Sequence, residues 1–216
     1  MRVIILAAGH SQEIDGINKI LLKDVKSGKT ILDHYLDFFA KDEVTIVVGY
    51  NSTSIIMCHP ELNYIYNPDW RITGNSYSLG LALSDSPCVI LSSDFFMDQG
   101  IITGLKATEN GNIVATRNSA NRSRQALNCV LSNGNVISAI YQGPMKQDTP
   151  EVVGIFTFSN DRLLRKLKEN CLKHPNLLVG QNIPLDIVPV VTLNIDSFSF
   201  NEINTPIDYI NFIQGF

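Results

Sequence analysis

Apolar residues in the first half of the chain follow two different periods. Short continuous apolar runs begin at Val3, Val44 and Cys88, and each ends at small or polar residues. Uncharged runs of this length, bounded by turn residues, are typical of strands that are buried on both faces. Between them, apolar residues spaced by three and four predict a helix over residues 31–40, capped by Thr30. This alternation predicts an α/β fold with a mixed, mostly parallel sheet covered by helices on both faces.

The remaining elements are predicted from shorter patterns and turn signals. The Asn133-Gly134 pair predicts a hairpin between two short strands, and Thr205-Pro206 predicts the start of a last helix that runs to Ile213. Strands are further expected at 64–66, 112–116, 126–131, 136–141, 152–158 and 188–193, and helices at 52–58, 76–83 and 160–172. We interpret residues 1–216 as a single domain, with a small antiparallel insertion at about 112–151 over the carboxyl edge of the sheet.

The composition excludes several classes of function. Hydrophobic residues make up 44% of the chain and charged residues 18%, as in an ordinary globular protein. The net charge of −4 gives no basic surface for nucleic acid, and no apolar run approaches the length of a membrane span. The four cysteines and four histidines are scattered without metal-ligand spacing, which favours reduced thiols and a cytoplasmic protein without a zinc site.

The loop after the first strand carries the strongest chemical signal. Leu6, Ala7, Ala8 and Gly9 end the strand, and Lys19 opens the next apolar run after a polar loop. Small residues let backbone N–H groups approach an anion closely, and a returning lysine adds a full positive charge. The stretch therefore indicates a loop that wraps the phosphates of a nucleotide, and the alternative is an ordinary turn with a solvated lysine.

Asp94 follows the strand that begins at Cys88, after two serines. A carboxylate at the end of a central strand can hold Mg²⁺, which keeps several waters and bridges substrate phosphates. The alternative is an aspartate that caps a turn. Carboxyl ends of parallel strands meet at one edge, so Asp94 and the loop after Leu6 are expected to lie close together.

The Leu-Ala-Ala-Gly stretch with its following Asn-Lys-x-Leu-Leu resembles the signature of the nucleotidyltransferase superfamily that activates phosphorylated small molecules. Gly9 and Lys19 fall in register with that signature. Ser11 stands where the family often has a second glycine, and Glu13 stands at about the place of the family's arginine. The resemblance implies a Rossmann-like three-layer sandwich in which Lys19 and Asp94 are catalytic.

Two further segments extend the resemblance. Glu202 to Tyr209 is similar to the family's C-terminal element, which supplies a second carboxylate to the metal. Some members place that carboxylate where Glu202 stands and others where Asn204 stands; we favour Glu202, with Asn204 as a weaker contact through water. Residues 67–79 are most similar to small phosphocholine cytidylyltransferases, in which this region contributes to the nucleotide pocket. The nucleotide site implied is Leu6, Ala7, Ala8, Gly9, His10, Ser11, Lys19, Gly74, Asn75 and Ser78.

The acceptor is the least specified partner. Arg117, Arg122 and Arg124 cluster in the inserted region, where guanidinium groups could bind the acceptor's phosphate, and the alternative is a solvated loop. The activity implied is Mg²⁺-dependent transfer of CMP from CTP to a phosphorylated small molecule, with release of pyrophosphate. Transfer to a sugar 1-phosphate or to molybdopterin, and a catalytically silent nucleotide-binding protein, stay open as alternatives, as does a homodimer.

Overall fold

The structure, a computed structural model, describes residues 1–107, 111–118, 126–145 and 149–214. Strands and helices alternate through the first half of the chain, and strands dominate the second half. The strands are β1 Arg2–Ala7, β2 Glu43–Val48, β3 Asn63–Tyr66, β4 Cys88–Ser92, β5 Phe95–Met97, β6 Ile113–Arg117, β7 Leu127–Leu131, β8 Ile137–Gln142, β9 Glu151–Phe158, β10 Val191–Asn194 and β11 Phe200–Glu202. The helices are α1 Ile31–Phe38, α2 Ser52–Cys58, α3 Asn75–Ala82, α4 Gln99–Ala107, α5 Asp161–Lys173 and α6 Pro206–Gln214.

The strand β1 lies inside the main sheet, between β4 and β2. The strand order of this sheet is β10-β6-β9-β4-β1-β2-β3, with β7 paired to β9 and to β8. The strands β3, β2, β1 and β4 run parallel, whereas β9 runs antiparallel to both β4 and β6. Leu6 is in register with Val47 on one side and with Ser92 on the other. The carboxyl ends of β1, β2 and β4 therefore meet at one edge of the sheet.

Both faces of this sheet are buried, which confirms the predicted α/β class with a mixed, mostly parallel sheet. Side chains alternate across a strand, so Val3 and Ile5 join one apolar cluster while Ile4 and Leu6 join a second. The first cluster includes residues of α1 and α4, and the second includes residues of α3 and α5. These helices and the sheet form the three layers.

Predicted helix starts agree with the observed caps. The Thr30 side chain accepts a hydrogen bond from the Asp33 backbone N–H, and Asp33 accepts from the Thr30 backbone N–H, which forms a capping box. Asn160 caps α5 by accepting from the Leu163 N–H at 2.9 Å. Helix ends agree less well: α1 ends at Phe38, two residues before the predicted end.

The prediction was incomplete in two segments. It placed no strand or helix between Asp94 and Ile113, and none directly before Glu202. The strands β5 and β11 pair antiparallel in a separate two-stranded sheet, with Phe95 opposite Glu202. Each has three residues, too short for a period to be visible. The helix α4 was also missed, because Gly100 and Gly104 interrupt its apolar pattern.

The predicted insertion divides into two parts. The hairpin of β7 and β8 extends from β9, and Gly134 in its turn has a left-handed φ of 63°. The strand β6 instead lies inside the main sheet between β10 and β9. The predicted strand at 188–193 is observed as β10, Val191–Asn194, so its start was placed three residues early.

Within the described ranges, the helices are all too short or too polar to cross a lipid bilayer. No disulfide joins the four cysteines, all of which belong to the described part of the chain.

Candidate functional site

A cleft of about 270 Å³ opens at the carboxyl ends of β1 and β4. We call it the smaller cleft. Residues from three separated segments line it, namely 6–20, 67–78 and 92–94. Nine of the ten predicted nucleotide-binding residues are among them: Leu6, Ala7, Ala8, Gly9, Ser11, Lys19, Gly74, Asn75 and Ser78.

The loop after β1 is folded back by local backbone hydrogen bonds. The Ser11 carbonyl accepts from the N–H groups of Ile14 and Gly16, both at 3.1 Å. Asp15 and Gly16 have left-handed φ angles of 55° and 71°, which reverse the chain. Glycine adopts such a φ without the strain that a Cβ atom would bring. The result is that the chain returns to the end of β1 before Lys19.

Asn18 fixes the returning end of this loop. Its side chain is buried and its Nδ2 donates to the Asn51 carbonyl at 3.1 Å. A short 3₁₀ helix, Lys19–Leu21, follows directly, and its buried Ile20 anchors it in the core. Asn18 lines the smaller cleft and was not predicted as a site residue. In the sequence, the only indication of a role for Asn18 was its position directly before Lys19.

Lys19 reaches across the edge of the sheet to two partners from distant parts of the chain. Its Nζ lies 2.8 Å from Asn204 Oδ1 and 3.7 Å from Asp94 Oδ2. Only 12% of its side chain is exposed. The ammonium group is therefore held at one position beside the smaller cleft instead of moving freely in solvent.

Asp94 lies where the smaller cleft meets a second opening, and it lines both. Its backbone carbonyl accepts from the Ile203 N–H at 2.7 Å, which ties the C-terminal segment to the end of β4. The buried Tyr35 hydroxyl supports the same turn by donating to the carbonyls of Ser92 and Phe95. Burial of the carboxyl group and, second to it, the charge of Glu202 raise the pKa of Asp94 to about 6, and the charge of Lys19 limits this rise.

The second opening, which we call the larger cleft, has a volume of about 810 Å³. Its walls bring together the polar residues Glu13, Asp94, Arg117, Glu151, Glu202 and Asn204 with apolar residues of β5, β9, β11 and α6. Glu13 is exposed and lines this cleft but not the smaller one. The charged residue that departs from the family signature is thus not part of the wall of the smaller cleft.

The predicted C-terminal carboxylate lies in the larger cleft. Glu202 Oε1 accepts from Asn204 Nδ2 at 2.9 Å, and Glu202 Oε2 accepts from Arg117 Nη2 at 2.9 Å. Asp208 accepts from the Thr205 N–H at 2.7 Å and so caps the start of α6. Asp208 therefore stabilises the first turn of the helix, where a negative charge is favourable.

Of the predicted acceptor-binding arginines, only Arg117 can be placed. It lies at the end of β6 and its Nε donates to Glu151 Oε2 at 2.7 Å. Arg122 and Arg124 lie outside the described residues. Glu151 was not predicted as a site residue, because from sequence it reads only as a charge in a polar loop before a strand.

His10 lies apart from the other predicted nucleotide-binding residues. Its ring packs edge-on against Tyr50, with centroids 4.1 Å apart, and it borders a surface depression beside Trp70 and Arg71. His10 follows the end of β1, and its ring contacts with Tyr50 and Trp70 hold it outside the wall of the smaller cleft. Trp70, by contrast, lines both the depression and the smaller cleft.

The donor set fits a hard divalent cation that keeps water ligands. Within the described ranges, no three His, Cys, Asp or Glu side chains converge as a complete metal cage. Mg²⁺ is usually bound by one or two carboxylates together with substrate phosphates. Asp94 and Glu202 line the same cleft, and the charge of Glu202 contributes to the raised pKa of Asp94. A cation between them would remove that repulsion.

Comparison with known proteins identifies a family. Residues 3–175 match the family model of the MobA-like NTP transferase domain. No curated protein sequence matches the chain significantly.

Solved structures share the whole fold at low sequence identity. CTP:phosphocholine cytidylyltransferase from Streptococcus pneumoniae is 15% identical with a TM-score of 0.78, and the match covers 99% of this chain and 97% of that one. A UDP-glucose pyrophosphorylase in complex with UDP-glucose is 14% identical with a TM-score of 0.77, covering 99% and 97%. The inositol-1-phosphate CTP transferase from T. maritima is 14% identical with a TM-score of 0.73, covering 98% and 94%. These likenesses confirm the Rossmann-like fold.

Proposed function

Because this chain belongs to the MobA-like NTP transferase family and is a nucleotidyltransferase, we propose that it transfers CMP from CTP to a phosphorylated small molecule. One observation carries the proposal. The Lys19 ammonium group lines the smaller cleft, 3.7 Å from the carboxylate of Asp94, which lines both clefts. A nucleotide in the smaller cleft and an acceptor in the larger one would meet at this junction.

The proposed reaction is a displacement at the α-phosphorus of the nucleotide. An oxygen of the acceptor's phosphate forms a bond to that phosphorus, the bond to the bridging oxygen of the β-phosphate breaks, and pyrophosphate leaves with the bonding electrons. A phosphate monoester carries nearly two charges at neutral pH. The nucleophile is therefore already ionised, and no side chain has to remove a proton.

Catalysis then consists of positioning and charge stabilisation. Lys19 neutralises charge on the α-phosphate and the departing pyrophosphate, and the backbone of Ala8 and Gly9 allows the phosphates to approach closely. Asn204 Oδ1 accepts from the Lys19 Nζ at 2.8 Å, which holds the ammonium group in position beside the smaller cleft.

Asp94 and Glu202 would hold Mg²⁺, and Asn204 would contact it through water. A bound Mg²⁺ neutralises phosphate charge and orients the two reacting groups. The raised pKa of Asp94 supports this assignment, since a carboxylate that is costly to ionise alone gains most from a cation nearby.

Two observations support CTP as the nucleotide. Two of the similar structures are named for CTP as substrate, at 15% and 14% identity. The smaller cleft is also compact, at about 270 Å³, which suits the smaller, pyrimidine type of base. The test must exclude the use of a nucleoside triphosphate other than CTP.

The acceptor is proposed to bind in the larger cleft, next to the hairpin of β7 and β8. This assigns acceptor recognition to the part of the chain predicted as an insertion, about 112–151. Arg122 and Arg124 remain proposed ligands of its phosphate. A sugar 1-phosphate is a second candidate acceptor class, because one similar structure is a UDP-glucose pyrophosphorylase.

The test is pyrophosphate release from each of the four ribonucleoside triphosphates and dTTP, with Mg²⁺ and pooled acceptors. The pools are phospho-alcohols, phosphorylated amino alcohols, sugar 1-phosphates and molybdopterin. We expect release with CTP and one of the first two pools, and none from an Asp94→Asn control. Release only with another nucleotide or with sugar 1-phosphates would reject the specific proposal. Nucleotide binding without any release would favour the silent nucleotide-binding protein.

A further inference from the structure

Arg117 and Glu151 form a largely buried ion pair in the wall of the larger cleft. The two residues are in register on β6 and β9, and Arg117 Nε lies 2.7 Å from Glu151 Oε2. Only 9% of the Glu151 side chain is exposed. Arg117 is the one cation within ion-pair distance of Glu151 in the described part of the chain. A buried carboxylate is strongly unfavourable without such a partner.

The guanidinium group of Arg117 is restrained at further points. Its centre lies 5.3 Å from the centroid of the Phe200 ring, and its Nη2 donates to Glu202 Oε2 at 2.9 Å. Phe200 and Glu202 are two apart on β11, so their side chains share one face of the strand. The Arg117 guanidinium group thus contacts the Phe200 ring and hydrogen-bonds to Glu202 on the same face of β11.

Glu202 is held at both of its carboxylate oxygens. Arg117 binds Oε2, and Asn204 Nδ2 binds Oε1 at 2.9 Å. Asn204 in turn accepts from Lys19 Nζ at 2.8 Å. Each carboxylate oxygen has two acceptor sites, so this arrangement orients Glu202 and still leaves capacity to bind a cation.

We propose that Arg117, fixed by Glu151, is a positioning residue that orients Glu202 toward the metal, and is not a ligand of the acceptor's phosphate. The inference rests on the proposed function, in which Glu202 contributes to holding Mg²⁺. It replaces the role in acceptor binding that the sequence alone indicated for Arg117. Moving the guanidinium group to an acceptor would leave Glu151 buried without its partner, and this opposes the earlier assignment.

The test measures Mn²⁺ affinity by electron paramagnetic resonance, with saturating CTP and no acceptor. The variants are Arg117→Met/Glu151→Gln, which removes the pair without leaving a buried charge, and Glu202→Gln. The matched control is Arg165→Met, which removes an exposed arginine paired with Asp161 on α5. Groups that orient metal ligands typically change metal affinity by about 10–100-fold. We expect the Mn²⁺ dissociation constant of the double variant to rise about tenfold, and that of the control to stay unchanged.

Two further measurements separate positioning from acceptor binding. Combining the double variant with Glu202→Gln should cause little further loss of Mn²⁺ affinity, because both changes act through Glu202. At saturating Mn²⁺, the acceptor KM of the double variant should stay within about twofold of wild type. An unchanged Mn²⁺ affinity with an acceptor KM raised tenfold or more would overturn the proposal. A wild-type protein that binds no Mn²⁺ would overturn it too, whereas pyrophosphate release by wild type reports separately on the proposed function.

Discussion

The two clefts that meet at Asp94 are built in opposite ways. The smaller cleft is made by short segments at the ends of parallel strands, with small residues, backbone groups and one lysine. The larger cleft is made by side chains from β5, β6, β9, β11 and α6, and charged residues form hydrogen-bonded pairs within its wall. Under the proposed function the first would offer donors to phosphates, whereas hydrogen bonds in the second hold the carboxylates of Glu151 and Glu202 in place. Selective changes in each cleft should therefore alter different steps of the reaction.

The largest effect is expected from Asp94→Asn, because Asp94 belongs to both clefts. Removing the charge takes away a proposed metal ligand, so transfer should fall by at least about 10³, the upper range for one preorganised group. The measurement is pyrophosphate release at saturating Mg²⁺, CTP and acceptor. Loss of the folded circular dichroism spectrum would instead show that Asp94 caps a turn that the fold requires.

The same variant provides a stability test with a defined pH dependence. The pKa of Asp94 is about 6 in the folded protein and about 3.9 in an unfolded chain. Between these values the folded state binds more protons, so wild-type stability falls as pH rises. Without metal, Asp94→Asn should have a higher melting temperature than wild type at pH 8, with the difference vanishing below about pH 4. A variant less stable than wild type at pH 8 would contradict this account.

Lys19→Ala should lower turnover by about 10²–10³, the usual loss for one preorganised charge aimed at the transition state. Lys19 lines the smaller cleft, and Asn204 and Asp94 hold its ammonium group in place. Single-turnover kinetics with CTP measure this effect directly. Activity within a few-fold of wild type would remove Lys19 from the proposed mechanism.

Gly49→Ala tests whether the shape of the smaller cleft matters for nucleotide binding, because the change adds one methyl group and no charge. A Cβ atom there would lie 2.6 Å from the Cβ of Trp70 and 2.7 Å from the Ala8 carbonyl oxygen. Trp70 and Ala8 both line the smaller cleft, so the KM for CTP should rise about tenfold, or about 1.4 kcal/mol. The acceptor KM should stay unchanged, and an equal rise in both constants would show that the two clefts are not independent.

Glu13→Gln should have the smallest effect. Glu13 is exposed and lines only the larger of the two clefts. With Mg²⁺ present, the CTP dissociation constant should stay within about threefold of wild type. Tightening of tenfold or more, about 1.4 kcal/mol, would place this carboxylate beside the phosphates and favour the silent nucleotide-binding protein.

The sequence predicted the smaller cleft far better than the larger one. Residues 6–19 form one continuous segment, so its features can be read from local sequence. A buried strand that ends in small residues indicates a tight turn of the backbone. Asp94 could be placed beside this segment because parallel strands share a carboxyl edge. His10 is the exception, since the direction of one side chain in a turn depends on its neighbours, here Tyr50 and Trp70.

The sequence by itself determined the α/β class, the parallel half of the sheet and the segment that contains Lys19. Those features follow from periodicity and local turn chemistry, which act over a few residues. The tertiary structure alone decided that Arg117 holds Glu151 and Glu202, and that Asn204 bridges Glu202 to Lys19. These partners are 34, 85, 2 and 185 residues apart. The contact between Arg117 and Glu151 depends on the pairing of β6 with β9. The contacts of Glu202 depend on β11, which pairs with β5, and these two three-residue strands are too short to show a periodic pattern in the sequence.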